Sequence, residues 1–409
     1  MGKDSFKVYR YRWVVLVAFM LIILVTQLLW ITFASITGVA AGYYKVSDLS
    51  IGILSLSFMI VYIFISIPAS WMIDKYGIRI AVGIGASLTG VFGLLRGVFS
   101  SNYELVLISQ IGIAVGQPFV LNAMTTVAAR WFPIRERATA SGLASLSVYA
   151  GLIIGLMLTP YLTTRSGINN MLIDYGIFAI VVAIIFLLFA RENPPTPPCR
   201  LDQTDRSLVL DGLKHILHQR NFIFLMFIFF VGLGVFNAVT TWIEDILRLR
   251  HLTINQVGIV GGSMIVGGVI GAIIMPALSD HFNKRIPFII SALAGAIPGL
   301  VGITFATSYW AILLSAFTLG FFLLSAGPIG FQYGAEIAYP TPEGTSNGLL
   351  LMIGQISGII FIFGMDKFRS AATGAMTPGL IILIWLMAFS LLVCTKFRES
   401  KLLSNNSNP

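Results

Sequence analysis

The chain has 409 residues, 57% of them hydrophobic and only 11% charged, with a mean hydropathy of +0.89 and a formal net charge of +9. A soluble core cannot hide so large an apolar share, so the composition excludes a soluble or disordered chain and implies an integral membrane protein. With the N-terminus inside, only Lys45, Arg96, Arg165, Arg248, Arg250, Lys367 and Arg369 fall on outer loops or outer span ends; the positive balance is thus a topology signal that puts both termini in the cytoplasm, and is not read as nucleic-acid binding.

A bilayer crossing takes about 20 apolar residues. The first run, 13–43, is too long for a cleavable signal and lacks a small-residue cleavage site, so it is expected to be one retained helix. Spans at 50–73, 78–100, 102–131, 136–163 and 170–190 complete an N-terminal six-helix bundle over 1–190. The fourth carries A-V-G-Q-P-F-V-L-N, a Gly-Gln-Pro break in mid-span, and Gln117 should face protein or a water-filled cavity because lipid offers its amide no partner. Residues 191–220 read as a cytoplasmic linker, proline-rich at first and then a short amphipathic surface helix over 207–220. Spans at 221–248, 254–279, 286–307, 309–339, 343–366 and 376–396 form a C-terminal six-helix bundle over 221–398, and 399–409 is a polar tail expected to be disordered. Cys199 and Cys394 fit neither a disulfide nor a metal pattern.

The halves repeat. Asp74 meets Asp280, Arg130 meets Glu336, Thr139 meets Thr345 and Gly142 meets Gly348, all at an offset of 206 residues without a gap. This predicts an all-α membrane protein of twelve transmembrane helices in two pseudo-symmetric six-helix bundles, with a solute site near the midplane between the repeats. Gly116-Gln117-Pro118 in span four has a near counterpart in Gly327-Pro328 of span ten, in a register several residues different.

Those spans, the long central loop and the D-K-x-G-x-R of Asp74 to Arg79 resemble the major facilitator superfamily over the whole chain apart from its tails. The motif departs from the superfamily pattern at Ser70, where Gly is usual, and at Ile78, where a basic residue is usual. A narrower resemblance lies in R-W-V-V-L, W-I-T-F-A-S, G-Q-P-F-V-L and A-E-I-A-Y-P-T-P-E-G-T-S-N-G-L-L, which are similar to segments of the feline leukaemia virus subgroup C receptor-related transporters.

Trp30, Gln117, Tyr149, Asn237 and Gln355 fall near the centres of their spans, Gln27 lies one turn before Trp30, and Tyr149 and Gln355 are repeat mates. An indole, a phenol and several amides make a neutral, hydrogen-bonding pocket suited to a small solute with an amine or quaternary ammonium head. In the resembling transporters a Trp of helix one and glutamines of helices four and eleven surround choline or ethanolamine, and Trp30, Gln117 and Gln355 fall on those positions. Where those transporters place an aromatic residue on helix seven, this chain has Asn237 beside Phe236, which leaves room for a smaller ligand such as ethanolamine or an amino acid.

At the inner face, Asp74, Arg79, Arg130, Asp280 and Glu336 are expected to act as gating residues. The two aspartates would cap the N-termini of helices eleven and five in the opposite half. No Asp, Glu, Lys or His lies near a span centre, Arg96 lies near the outer end of span three, and span four has Gln110 near the place where proton-coupled families carry a base. Span five has Gly151-x-x-x-Gly155 without the Gly-Pro of antiporters. Facilitated uniport by rocker-switch alternating access is therefore expected, with no cofactor or metal, and with a small-molecule substrate and the lipid bilayer as partners of a monomer.

Haem is a weaker substrate candidate because His215, His218, His251 and His281 all lie in loops. A drug or siderophore exporter lacks its antiporter motif here, a solute sensor lacks a signalling domain, and an enzyme lacks a convergent set of catalytic side chains within the spans. The expected location is a plasma membrane, in the simplest case a bacterial inner membrane.

Overall fold

The computed structural model describes residues 8–196, 216–282, 284–338 and 343–397, and among them every regular element is a helix. Most of the surface helix expected over 207–220, Cys199, His215 and the tail beyond 398 lie outside the described residues, as does the side chain of Thr345. Among the described residues, eleven helical stretches are long and apolar enough to cross a membrane. One of them, Thr139–Phe189, has 51 residues, roughly 76 Å of helix against an apolar layer of about 30 Å. It turns at Gly167 (φ 80°, ψ 166°) and so supplies two crossings, which makes twelve.

The chain divides into two compact units, Met1–Thr204 and Asp205–Pro409. The first contains α1 (Arg12–Ile31), α2 (Thr37–Tyr44), α3 (Asp48–Tyr76), α4 (Ile78–Val98), α5 (Tyr103–Leu121), α6 (Met124–Trp131) and α7 (Ile134–Phe189, turning at Gly167). The second contains α8 (Arg220–Thr241), α9 (Ile243–Leu247), α10 (Ile254–His281), α11 (Ile286–Phe305), α12 (Tyr309–Ala338), α13 (Glu343–Lys367) and α14 (Thr377–Cys394). Local chemistry sets several starts. Ser47 accepts the Ser50 amide before α3, Asn102 accepts the Leu105 amide before α5, and Thr253 with Gln256 forms a capping box before α10.

Three spans differ from the expectation. The run 13–43 is two helices, α1 and α2, parted by a turn over 32–36 that contains neither glycine nor proline. Span four stays helical through Gly116-Gln117-Pro118 and breaks after Leu121, at Asn122 and Ala123. Proline removes one N–H and kinks a helix without having to end it. What ends α5 is Asn122, whose Nδ2 donates to Ser66 O (3.1 Å), Ser66 Oγ (3.0 Å) and Ser70 Oγ (2.9 Å) on α3, while its Oδ1 accepts from Tyr62 Oη (2.8 Å). Ser70, where the superfamily usually has glycine, is thus one of the anchors of this break. Span seven parts at Trp242 into α8 and α9, whereas α12 runs unbroken through Pro328.

Within each unit the same pairs of elements pack together: α1 on α7 and α8 on α13, α3 on α5 and α10 on α12, α4 on α5 and α11 on α12. Close backbone approach brings α1 to its partner. A Cβ on Gly151 would collide with the carbonyl of Leu24 and approach Gln27 Cβ to 2.9 Å, so this glycine lets α1 seat directly on α7.

Candidate functional site

In the first unit, α1 and α5 carry the polar residues that an apolar span least tolerates. Trp30 is 8% exposed, and its Nε1 donates to the Ser55 carbonyl on α3 at 3.2 Å. The indole N–H is therefore satisfied, which fixes the ring and leaves its π face as what it can offer a ligand. Gln27, one turn earlier on α1, is buried with its Nε2 unpartnered. Gln117 on α5 is 6% exposed, Tyr149 on α7 is half-buried, and neither side chain makes a hydrogen bond to a described residue. Buried polar groups nearly always find partners in native proteins, so the spare Gln27 amide one helical turn from a fixed aromatic face marks a place where water or ligand completes the bonding.

The second unit places Asn237 and Gln355 on the packed pair α8 and α13. Asn237 is buried, and its Nδ2 donates to the Gly354 carbonyl at 3.4 Å, immediately before Gln355. Gln355 is half-buried and makes no side-chain hydrogen bond to a described residue. Phe236 is half-buried beside Asn237. Asn237 therefore spends one donor on the helix that carries Gln355 and keeps its oxygen, while Gln355 keeps its whole amide.

The charged residues at the inner ends find partners inside their own units, and two of those partners escaped the sequence reading. In the first unit Glu192 pairs with Arg130 and accepts the amides of Ile78 (3.1 Å) and Arg79 (2.7 Å) at the start of α4. In the second, Arg285 pairs with Asp280 and, at 3.2 Å, with Glu336, which Gln332 also reaches at 3.2 Å. Arg285 is 8% exposed. Burial alone would lower its pKa, but the Asp280 and Glu336 carboxylates outweigh that and hold it above the ordinary arginine value. Asp74 and the Arg79 side chain are exposed.

A third feature was legible only as an arginine near the outer end of span three. Arg96 is 0% exposed. Its Nη1 donates to the Leu29 carbonyl (3.0 Å) and to Gln110 Oε1 (2.7 Å), and its Nη2 reaches Thr32 Oγ1 at 3.4 Å. The signal was the residue type itself, because ionisable side chains inside spans are costly and kept for function.

Three comparisons bear on this arrangement. Residues 13–362 match the family described as Major Facilitator Superfamily. Solute carrier family 49 member A3 of Xenopus tropicalis is 31% identical over 396 residues, covering 92% of this chain and 82% of that protein. The choline/ethanolamine transporter FLVCR2 of Rattus norvegicus is 27% identical, covering 98% of this chain and 77% of that protein. Among solved structures, a bacterial homologue of the human lysosomal transporter Spinster superposes with a TM-score of 0.78 at 16% identity, covering 96% of this chain and 98% of the other. A D-xylose–proton symporter superposes at 0.75 and 17% identity, covering 96% and 99%. These two likenesses concern the fold.

Proposed function

From the premise that this chain belongs to the Major Facilitator Superfamily and is a multi-pass membrane transporter, not an enzyme, we propose that its substrate is a small amine of the choline or ethanolamine class. Transport is by rocker-switch alternating access, as facilitated uniport across a plasma membrane. The observation that carries the reading is Trp30, whose N–H is spent on Ser55 while its ring stands on the same helix face as the unpartnered amide of Gln27. A fixed π face attracts a desolvated ammonium by roughly 2 kcal/mol, and in the same unit the side-chain oxygens of Gln27 and Gln117 are acceptors for its N–H or O–H groups; within the second unit Asn237 and Gln355 offer groups of the same kind. Relatives whose names state choline/ethanolamine transport support the same class.

Uniport is supported by the neutrality of this set. None of the side chains of Trp30, Gln27, Gln117, Tyr149, Asn237 and Gln355 carries a proton that exchanges near neutral pH, and a cationic substrate would be drawn inward by the membrane potential at roughly 2.3 kcal/mol per 100 mV.

The test is thermal stabilisation of the purified protein by choline, ethanolamine, amino acids, polyamines and haem, repeated with Trp30→Ala and followed by counterflow of the stabilising compound. A ligand of the folded state raises apparent stability with its concentration. Removing the π face should weaken amine binding by roughly 30-fold, and Trp30→Phe should restore part of it. An amine shift that survives Trp30→Ala, or a shift with haem alone, overturns the substrate reading.

A further inference from the structure

Arg96 is a cation taken out of water completely, and its hydrogen-bond acceptors are neutral: a carbonyl, an amide and a hydroxyl. Among the described residues no carboxylate pairs with it, and its guanidinium carbon lies 5.7 Å from the Phe33 ring centroid. Burying a charge is expensive unless it is paired. Such a residue is poor value as mere filling, so its acceptors are where a function should be sought.

The shared acceptor is Leu29, two residues before α1 ends. The last four carbonyls of a helix lack intrahelical donors; here side chains reach those of Leu28 and Leu29, while the Ile31 carbonyl accepts the Ala34 amide at 3.0 Å. Thr32 Oγ1 donates to Leu28 O at 2.9 Å and lies 3.2 Å from Leu29 O. Leu29 O also receives Arg96 Nη1 at 3.0 Å and Gln110 Nε2 at 3.2 Å, from two other helices. Arg96 and Gln110 are joined to each other at 2.7 Å, so the carbonyl is held by a closed three-membered set of groups, all fully buried.

We propose that Arg96 and Gln110 are positioning residues that pin the break in span one between Ile31 and Thr37, and through the Leu29 carbonyl set the orientation of the adjacent Trp30. The residues of the break, T-F-A-S-I, have no glycine or proline to force a turn. The turn geometry therefore depends on donors that arrive from elsewhere in the fold. Trp30 is anchored on one side by Ser55 and, through its neighbour, on the other by this clamp. The inference rests on the transporter class and not on the identity of the solute.

The decisive experiment is hydrogen exchange by mass spectrometry on the purified full chain, comparing wild type with Arg96→Met, Arg96→Lys and Gln110→Leu, together with uptake of labelled choline. Arg96→Met should speed exchange of the amides over 30–40 by roughly tenfold or more, the change that one charged hydrogen bond supplies, and leave α10 to α14 unchanged. Gln110→Leu should act in the same place with a smaller effect, and Arg96→Lys, which offers one strong bond in place of a fork, should recover part of the protection. Choline KM should rise with the loss of local protection, and Vmax should be less affected. Unchanged or slower exchange over 30–40 in Arg96→Met overturns the proposal, as does an increase spread evenly over both units. If Arg96→Met does not fold, Gln110→Leu decides on the same criterion. Absence of choline uptake in the wild type speaks against the amine reading alone, because the exchange measurement needs no substrate.

Discussion

In the first unit α1 stops at Ile31 and five residues pass before α2 begins; in the second, α8 runs on to Thr241, the repeat mate of Ser35, and only Trp242 separates it from α9. The means of holding these two breaks differ as well. The first is pinned by an arginine on neutral acceptors. The second is held by Trp242, whose Nε1 donates to Ile362 O at 3.1 Å, and by Asp245, whose fully buried side chain pairs with Arg248 at 2.9 Å and Arg369 at 3.1 Å. Neutralised charge makes the second break a strut, about one turn farther along its helix from the polar residues of the span. The first lies two residues from Trp30, and its single unneutralised cation makes it the more adjustable of the two.

Removing the strut should cost most. Asp245→Ala takes from Arg248 and Arg369 the carboxylate they share, while Glu244 and Asp366 remain beside them, so what is lost is charged hydrogen bonding at a fully buried side chain, about 1.5–3 kcal/mol. The melting temperature should fall clearly, with faster exchange over 242–250 and none of the change confined to 30–40. A melting temperature equal to wild type would show that the second break needs no ion pair, and the contrast between units would collapse.

The seat of the first helix gives the next effect. In the first unit a glycine of α7, Gly151, meets the backbone of α1; in the second both helices contribute one, Gly234 on α8, where a Cβ would lie 2.6 Å from Phe361 Cδ2, and Gly354 on α13, where it would lie 2.9 Å from Leu233 Cβ. Gly151→Leu should therefore destabilise by about 1–3 kcal/mol through overpacking, with the displacement felt at Gln27. Gly142, on the same helix, has nothing within 4 Å of an added Cβ, so Gly142→Ala is the control and should be neutral or slightly stabilising. Equal melting temperatures for the two variants would show that α1 is free to shift on α7.

The twelve spans and the repeat were legible because length, apolarity and an ungapped offset are properties of the chain itself. The breaks were not. Gly116-Gln117-Pro118 announces a break that α5 does not take, and the real one waits for Asn122 to meet Tyr62, Ser66 and Ser70, more than 50 positions earlier in the chain. The break in span one carries no local signal, because its donors lie 67 and 81 residues from Leu29. Likewise Gln110 reads in the sequence as the place of a missing base, and only the fold shows that an arginine of the preceding helix, Arg96, donates to it. Trp30, Gln117 and Gln355 stand out in the sequence as candidates because amides and indoles in mid-span are conspicuous against so apolar a background.

The inner ends give the smallest expected effect and the sharpest control. Arg130 and Glu336 are repeat mates of opposite charge, and each is paired within its own unit, so the pairing is kept while the signs are exchanged. Glu192 does so by occupying the space a side chain at Gly77 would need: Gly77 has φ 90°, and a Cβ there would lie 2.6 Å from Glu192 Oε2. The carboxylate thereby reaches both the N-terminal amides of α4 and Arg130, but it is 31% exposed and Arg130 25%. Glu192→Gln should therefore cost only about 0.5–1 kcal/mol, and most of that should vanish at about 0.5 M salt, where screening shortens to a few ångströms. Arg285→Met removes a pair whose side chains are each only 9% exposed, so its larger deficit should persist in salt. Because Arg285 is held above its ordinary pKa, its charged form is retained below the unfolded value and lost only as pH rises past the folded one, so its own titration should add no pH dependence between pH 6 and 9. If the two deficits respond to salt alike, burial does not distinguish the inner ends, and the exchange of signs between units has no energetic meaning.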